Sequence, residues 1–104
     1  MTDLEMIKLC AEAMGLGKVD QKNGEPWAFN RDEGGWHKYD PLHDDEQAMA
    51  LVKKFDLNIC RTGRTHQWHV EDFDCEVWGN STGLNRAIVE CVAKMQKAKD
   101  ERPI

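Results

Sequence analysis

The spacing of apolar residues constrains the fold most strongly, because it changes from a helical period to a strand period and back. Apolar side chains recur at helical spacing in residues 4–14, 48–55 and 84–95. Residues 57–77 instead alternate in the way that is typical of strands with one buried face. The pattern therefore predicts three helices and a three-stranded meander, which gives the apolar face of each helix a surface to pack against.

Residues that favour helix ends support these boundaries. Thr2 and Glu5 have the spacing of a capping box, and Asp44 precedes the second apolar stripe as an N-cap. Gly15 follows the first stripe and predicts its end. Residues 79–82 are Gly, Asn, Ser and Thr, so we expect them to end the third strand and to cap the last helix.

Residues 16–42 follow neither period and predict a long irregular insertion. They hold both glycines and prolines, together with four of the eight aromatic residues of the chain. Residues 26–29 and 36–39 could form two short extended segments, with a turn over residues 30–35. The sequence as a whole predicts a single small α+β domain over residues 1–104. Its order is α, aromatic-rich insertion, α, β, β, β, α, with the three-stranded antiparallel sheet packed with the three helices.

Composition excludes several classes of protein. The 104 residues fit one domain, and the net charge of −5 argues against a strongly basic nucleic-acid binder. We find no apolar run of membrane-spanning length and no signal peptide, so we do not expect a secreted or membrane protein. The sequence has no phosphate-binding Gly-rich loop and no G-x-S-x-G or H-E-x-x-H motif. We therefore expect no enzyme activity, no cofactor and no metal site.

The four cysteines favour a reducing compartment. Cys10, Cys60, Cys75 and Cys91 form no Cys-x-x-Cys pair, and three of them lie on apolar lines. This pattern is typical of small buried hydrophobic residues, and we expect reduced thiols in the core rather than a zinc site or disulfides.

The insertion supplies the candidate binding residues. Trp27 and Trp36 would be unfavourable if they were left in water, so the domain, a second copy of it or a partner must cover them. One interpretation makes them plugs that hold the insertion against the helices. The other makes them an aromatic platform for a nucleobase or a protein partner. The residues assigned to such a platform are Trp27, Phe29, Arg31, Trp36, His37, Lys38 and Tyr39.

Three blocks of the sequence resemble a family of small phage and prophage proteins, the phage ABA sandwich domain. These are residues 4–15 (LEMIKLCAEAMG), 39–54 (YDPLHDDEQAMALVKK) and 84–93 (LNRAIVECVA). They contain 38 of the 104 residues and no catalytic motif, so the resemblance assigns no active-site residue. It implies a setting in the cytoplasm of an infected or lysogenic bacterium.

A small phage protein without an enzyme motif is expected to act by binding. The leading hypothesis is a non-enzymatic accessory protein that blocks or captures a host factor, such as a component of antiviral defence. The alternative is a small-molecule binder that holds a signalling nucleotide on Trp27, Trp36 and nearby basic residues. A small hydrolase is the remote third hypothesis. The partner is thus a host protein or a small nucleotide, and a homo-oligomer remains open.

Overall fold

The computed structural model describes residues 1–30, 32–61, 63, 66–73 and 77–101. These residues form three α-helices and two antiparallel sheets of three strands each. The helices are α1 (Asp3–Ala13), α2 (Asp45–Phe55) and α3 (Leu84–Glu101). The first sheet contains β1 (Val19–Lys22), β2 (Glu25–Asn30) and β3 (Gly35–Lys38), and the second contains β4 (Asn58–Arg61), β5 (Trp68–Glu71) and β6 (Trp78–Ser81). The predicted α+β class and element order are confirmed.

The predicted caps begin the first two helices, and the predicted glycine follows the end of the first. The Thr2 hydroxyl accepts a hydrogen bond from the Glu5 backbone N–H at 3.1 Å, and Gly15 follows α1 with a positive φ of 78°. The Asp44 carboxylate accepts from the Gln47 backbone N–H at 3.1 Å. These contacts satisfy backbone groups that have no partner inside a helix, which fixes where each helix starts.

The segment predicted to be irregular is a sheet instead. The two extended segments expected there are confirmed as β2 and β3, which pair antiparallel with Phe29 opposite Trp36. The sequence analysis missed β1, because Val19–Lys22 has one apolar residue and no alternation to reveal a strand. Asn23 and Gly24 join β1 to β2 with φ values of 54° and 78°. An Asn-Gly pair with both φ values positive is typical of a tight β-hairpin.

The second sheet confirms the expected meander, but its third strand lies later than predicted. Residues 79–81 belong to β6 and do not interrupt it. Gly79 has no side chain, and this lets α3 cross β6 closely. A β-carbon at this position would lie 2.9 Å from the backbone nitrogen of Cys91 and closer still to the carbonyl oxygen of Ala87. The glycine therefore permits close helix–strand packing.

One apolar core joins both sheets to the helices, and α3 lies at its centre. α3 contacts α1, α2, β5 and β6. The Cys10 thiol on α1 lies 3.5 Å from the Val89 carbonyl oxygen of α3, whereas the Cys91 thiol lies 3.6 Å from the Val77 carbonyl oxygen, next to β6. Six residues of α3 are buried, on sides that face different partners: Ala87, Ile88, Val89, Cys91, Val92 and Ala93.

The expectation that all four cysteines are buried is wrong for Cys60. Cys10 and Cys91 are buried and free, whereas Cys60 is free and exposed. Cys60 lies on β4 next to Ile59, and neighbouring strand residues point to opposite faces. Ile59 packs against the core, so Cys60 faces outward. Cys75 lies outside the described residues.

Within the described part of the chain, no helix combines the length and apolar character that crossing a bilayer requires.

Candidate binding surface on the first sheet

Strand register places three aromatic side chains on one face of the first sheet. Trp27 and Phe29 are two residues apart on β2, so they share a face. Phe29 pairs with Trp36 of β3, and Trp27 pairs with Lys38. Directly opposed residues of an antiparallel pair lie on the same side. We call this side the outer face, because the residues on the opposite side include core members Val19, Ala28 and Tyr39.

The aromatic side chains of the outer face are partly accessible to solvent. Trp36 is 46% exposed, whereas Trp27 and Phe29 are partly buried. The Trp36 ring meets the Phe29 ring edge-on, with centroids 5.6 Å apart and an interplanar angle of 64°. This geometry suits the charge distribution of aromatic rings and holds the Trp36 indole in place. Trp36 therefore presents a fixed, half-exposed indole.

An open groove of about 460 Å³ lies beside Trp27 and Trp36. The strand β1 forms its other wall with Asp20, Gln21 and Lys22. Asp20 pairs with Trp27 across the strands and therefore shares its face. We call this cavity the indole groove. Its volume is within the range of small-molecule sites, and its lining combines two apolar rings with polar side chains.

Charged side chains surround the indole groove. The Lys38 ammonium lies 3.0 Å from the Glu25 carboxylate, and the Lys18 ammonium lies 3.7 Å from the Asp20 carboxylate. All four side chains are at least half exposed, so these ion pairs stabilise the fold little and can rearrange. Lys22 makes no ion pair with any residue that the structure describes. The groove lining thus includes the Lys22 ammonium, and the ammonium groups of Lys18 and Lys38 lie nearby in weak ion pairs.

The structure does not bring all the predicted platform residues together. Tyr39 is buried in the core and 7% exposed, and burial raises the pKa of its phenol. His37 pairs with Ala28 and so lies on the inner side of β3, where its Nε2 is 2.9 Å from a Glu33 carboxylate oxygen. Arg31 lies outside the described residues. Trp27, Phe29, Trp36 and Lys38 are the members that share the outer face.

The sequence analysis missed the β1 wall of the groove, which contributes Asp20, Gln21 and Lys22. The available signal was Asn23-Gly24, because this pair between two short segments predicts a hairpin. A hairpin centred there pairs Asp20 with Trp27 and Lys22 with Glu25, as observed. The turn residues could therefore have located the polar half of the site.

A second exposed tryptophan lies on the second sheet. Trp78 of β6 is 48% exposed, and its backbone carbonyl oxygen accepts a hydrogen bond from the Lys94 ammonium at 3.1 Å. It pairs with Glu71 of β5 and does not line the indole groove. Trp78 has nearly the same exposure as Trp36 in a different setting, and it therefore serves as a matched control.

No family model matches this chain, and no curated protein matches it.

Proposed function

We propose that this protein is a non-enzymatic phage or prophage accessory protein that captures a host factor on the outer face of its first sheet and so blocks it. The observation that carries the proposal is the half-exposed indole of Trp36, held edge-on by Phe29 and placed beside Trp27. The phage setting rests on the resemblance of residues 4–15, 39–54 and 84–93 to the phage ABA sandwich domain.

The exposure of Trp36 beside a second indole and an open groove, a setting that Trp78 lacks, favours binding over a purely structural role. A plug would bury its indole against the domain, whereas Trp36 leaves 46% of its surface in water. Covering an exposed aromatic ring releases its hydration water and is favourable in proportion to the area covered. Fixed aromatic residues with few rotatable bonds are also typical binding anchors, because little conformational entropy is lost when they are covered.

The chemistry of the groove supports capture rather than catalysis. Its lining side chains are two indoles, one carboxylate, one amide and one ammonium. None of these lining side chains carries the hydroxyl or thiol that an adjacent base would activate as a nucleophile. They are able to stack on a planar group, to accept hydrogen bonds and to attract an anion.

The test compares Trp36→Ala with the matched control Trp78→Ala. Each variant is immobilised, and the host protein or small molecule that it retains from a bacterial lysate is quantified by mass spectrometry. The melting temperature is measured beside it. We expect Trp36→Ala to weaken retention by at least about 2 kcal/mol, as for a binding anchor, with little change in melting temperature. Trp78→Ala should retain the same material as the original protein.

A different result would contradict the proposal. If Trp36→Ala lowers the melting temperature sharply while the remaining folded protein keeps full retention, Trp36 is a structural residue. The functional surface would then lie elsewhere on the molecule.

A further inference from the structure

The indole groove has features that specify a class of ligand. We propose that the captured factor is a guanine nucleotide, bound with its base against Trp27 and Trp36 and its phosphate near Lys22. This inference rests on the proposed function, because it takes the outer face as the binding surface. It goes further by assigning the ligand from the residues that line the groove.

The base is recognised by the indoles and by Asp20. Aromatic side chains stack on the flat face of any nucleobase. Asp20 pairs across the strands with Trp27 and lines the same groove, and its carboxylate is held there only by an exposed ion pair with Lys18 at 3.7 Å. A carboxylate offers two acceptor oxygens and no donor. Guanine presents two neighbouring N–H donors on one edge, whereas the same edge of adenine presents a donor beside an acceptor. The groove therefore favours guanine.

The phosphate is attracted by the lysines of the same face. Lys22 lies two residues after Asp20 on β1, which places the two side chains about 7 Å apart on one face. It lines the groove and makes no ion pair with a described residue. Lys18 and Lys38 stand nearby in exposed ion pairs that a phosphate can compete for. Of these three lysines, Lys22 lines the groove, Lys18 is paired with the groove residue Asp20, and Lys38 lies opposite Trp27 on the outer face.

The dimensions and overall charge favour a free nucleotide over a polymer. A groove of about 460 Å³ is suited to one small ligand. A nucleic acid chain would bring many phosphates to a protein with a net charge of −5, which is unfavourable away from this face.

The experiment measures binding of guanosine monophosphate by titration calorimetry with the full chain. Adenosine monophosphate, ribose 5-phosphate and a four-residue guanine-containing RNA are the comparison ligands. We expect saturable binding of guanosine monophosphate that is at least about tenfold tighter than binding of the other two small molecules. Trp36→Ala should weaken it at least about tenfold, whereas Trp78→Ala should leave it unchanged.

Two further variants test the polar contacts separately. Asp20→Asn should remove the preference for guanine over adenine while the protein still binds both. Lys22→Gln should weaken binding and reduce its dependence on salt concentration, because one phosphate contact is lost. Lys97→Gln, which changes an exposed lysine on α3, is the matched control and should have no effect.

Failure of this inference can be distinguished from failure of the proposed function. If no nucleotide binds, or adenine and guanine bind equally, the ligand assignment is overturned. The proposed function still holds after that result if the original protein retains another host factor and Trp36→Ala abolishes this retention. Tighter binding of the RNA than of the mononucleotide would also overturn the assignment.

Discussion

The three described cysteines differ in their surroundings and therefore in their chemistry. Cys10 and Cys91 are completely buried, and burial raises the pKa of each thiol to about 12. Cys60 faces outward from β4 and is exposed. The thiolate is the reactive form, so burial suppresses reaction both by excluding the reagent and by disfavouring ionisation.

Alkylation should therefore separate these thiols. In the native protein at neutral pH, we expect iodoacetamide to modify Cys60 promptly and to leave Cys10 and Cys91 largely unmodified. In denaturant, all three should react at similar rates. Peptide mapping by mass spectrometry assigns each site. Rapid native modification of Cys10 or Cys91 would show that the core around α3 opens readily.

Cys60 shows how well the sequence predicts which face of a strand carries a given side chain. The alternation of Leu57, Ile59 and Arg61 already assigned those residues to one strand face, which puts Cys60 on the other. The general tendency of cysteine to be buried predicts the opposite position for Cys60, in the core. Local alternation was the better guide, because Ile59 does pack against the core.

At the scale of elements, the contact between β6 and α3 depends on Gly79. Replacement by Ala would bring a β-carbon against the backbone of Ala87 and Cys91, and neither backbone can move without shifting α3. We expect Gly79→Ala to destabilise the protein by about 3 kcal/mol, as overpacking does in a well-filled core. Chemical denaturation monitored by circular dichroism measures this change.

Gly35→Ala is the matched control for this substitution. Gly35 also lies in a strand, but a β-carbon there would have no heavy atom within 4 Å. Its replacement should change the free energy of unfolding by less than about 0.5 kcal/mol. If the two variants were equally stable, the close approach of α3 to β6 would be wrong.

The elements themselves were predictable where they carry a repeating pattern. The helices and their caps followed from apolar spacing, with Thr2 and Asp44 as starting signals. β1 could not be found in this way, because its side chains after Val19 are polar and exposed. The aromatic half of the candidate site was therefore predicted, whereas its polar half depended on a hairpin that periodicity does not reveal.

For the whole molecule, the buried thiols and the buried phenol make the free energy of unfolding fall at alkaline pH. In the folded state, burial raises the thiol pKa of Cys10 and of Cys91 to about 12, whereas the pKa of an unfolded thiol is near 9.0. The unfolded state therefore binds fewer protons above that pH. Stability should be unaffected by these groups below about pH 9 and should fall as the pH rises beyond it.

The loss should reach at most about 1.4 kcal/mol per pH unit for each thiol. Tyr39 adds to the same trend, since burial also raises the pKa of its phenol. Urea denaturation between pH 7 and about pH 11 measures the slope. The double variant Cys10→Ala and Cys91→Ala should show a shallower slope, and an identical slope would contradict the burial of both thiols.

The central position of α3 also determines when the chain can fold during its synthesis. Each sheet is built from hairpins that are local in the sequence, and such hairpins can form soon after their residues leave the ribosome. The faces of α1 and β6 that α3 covers nevertheless remain exposed until residues 84–101 are translated, which happens after both sheets. Completion of the core is thus delayed until the end of this helix emerges. Until then, the nascent chain exposes the apolar residues that α3 later covers, and such exposed apolar surface favours aggregation.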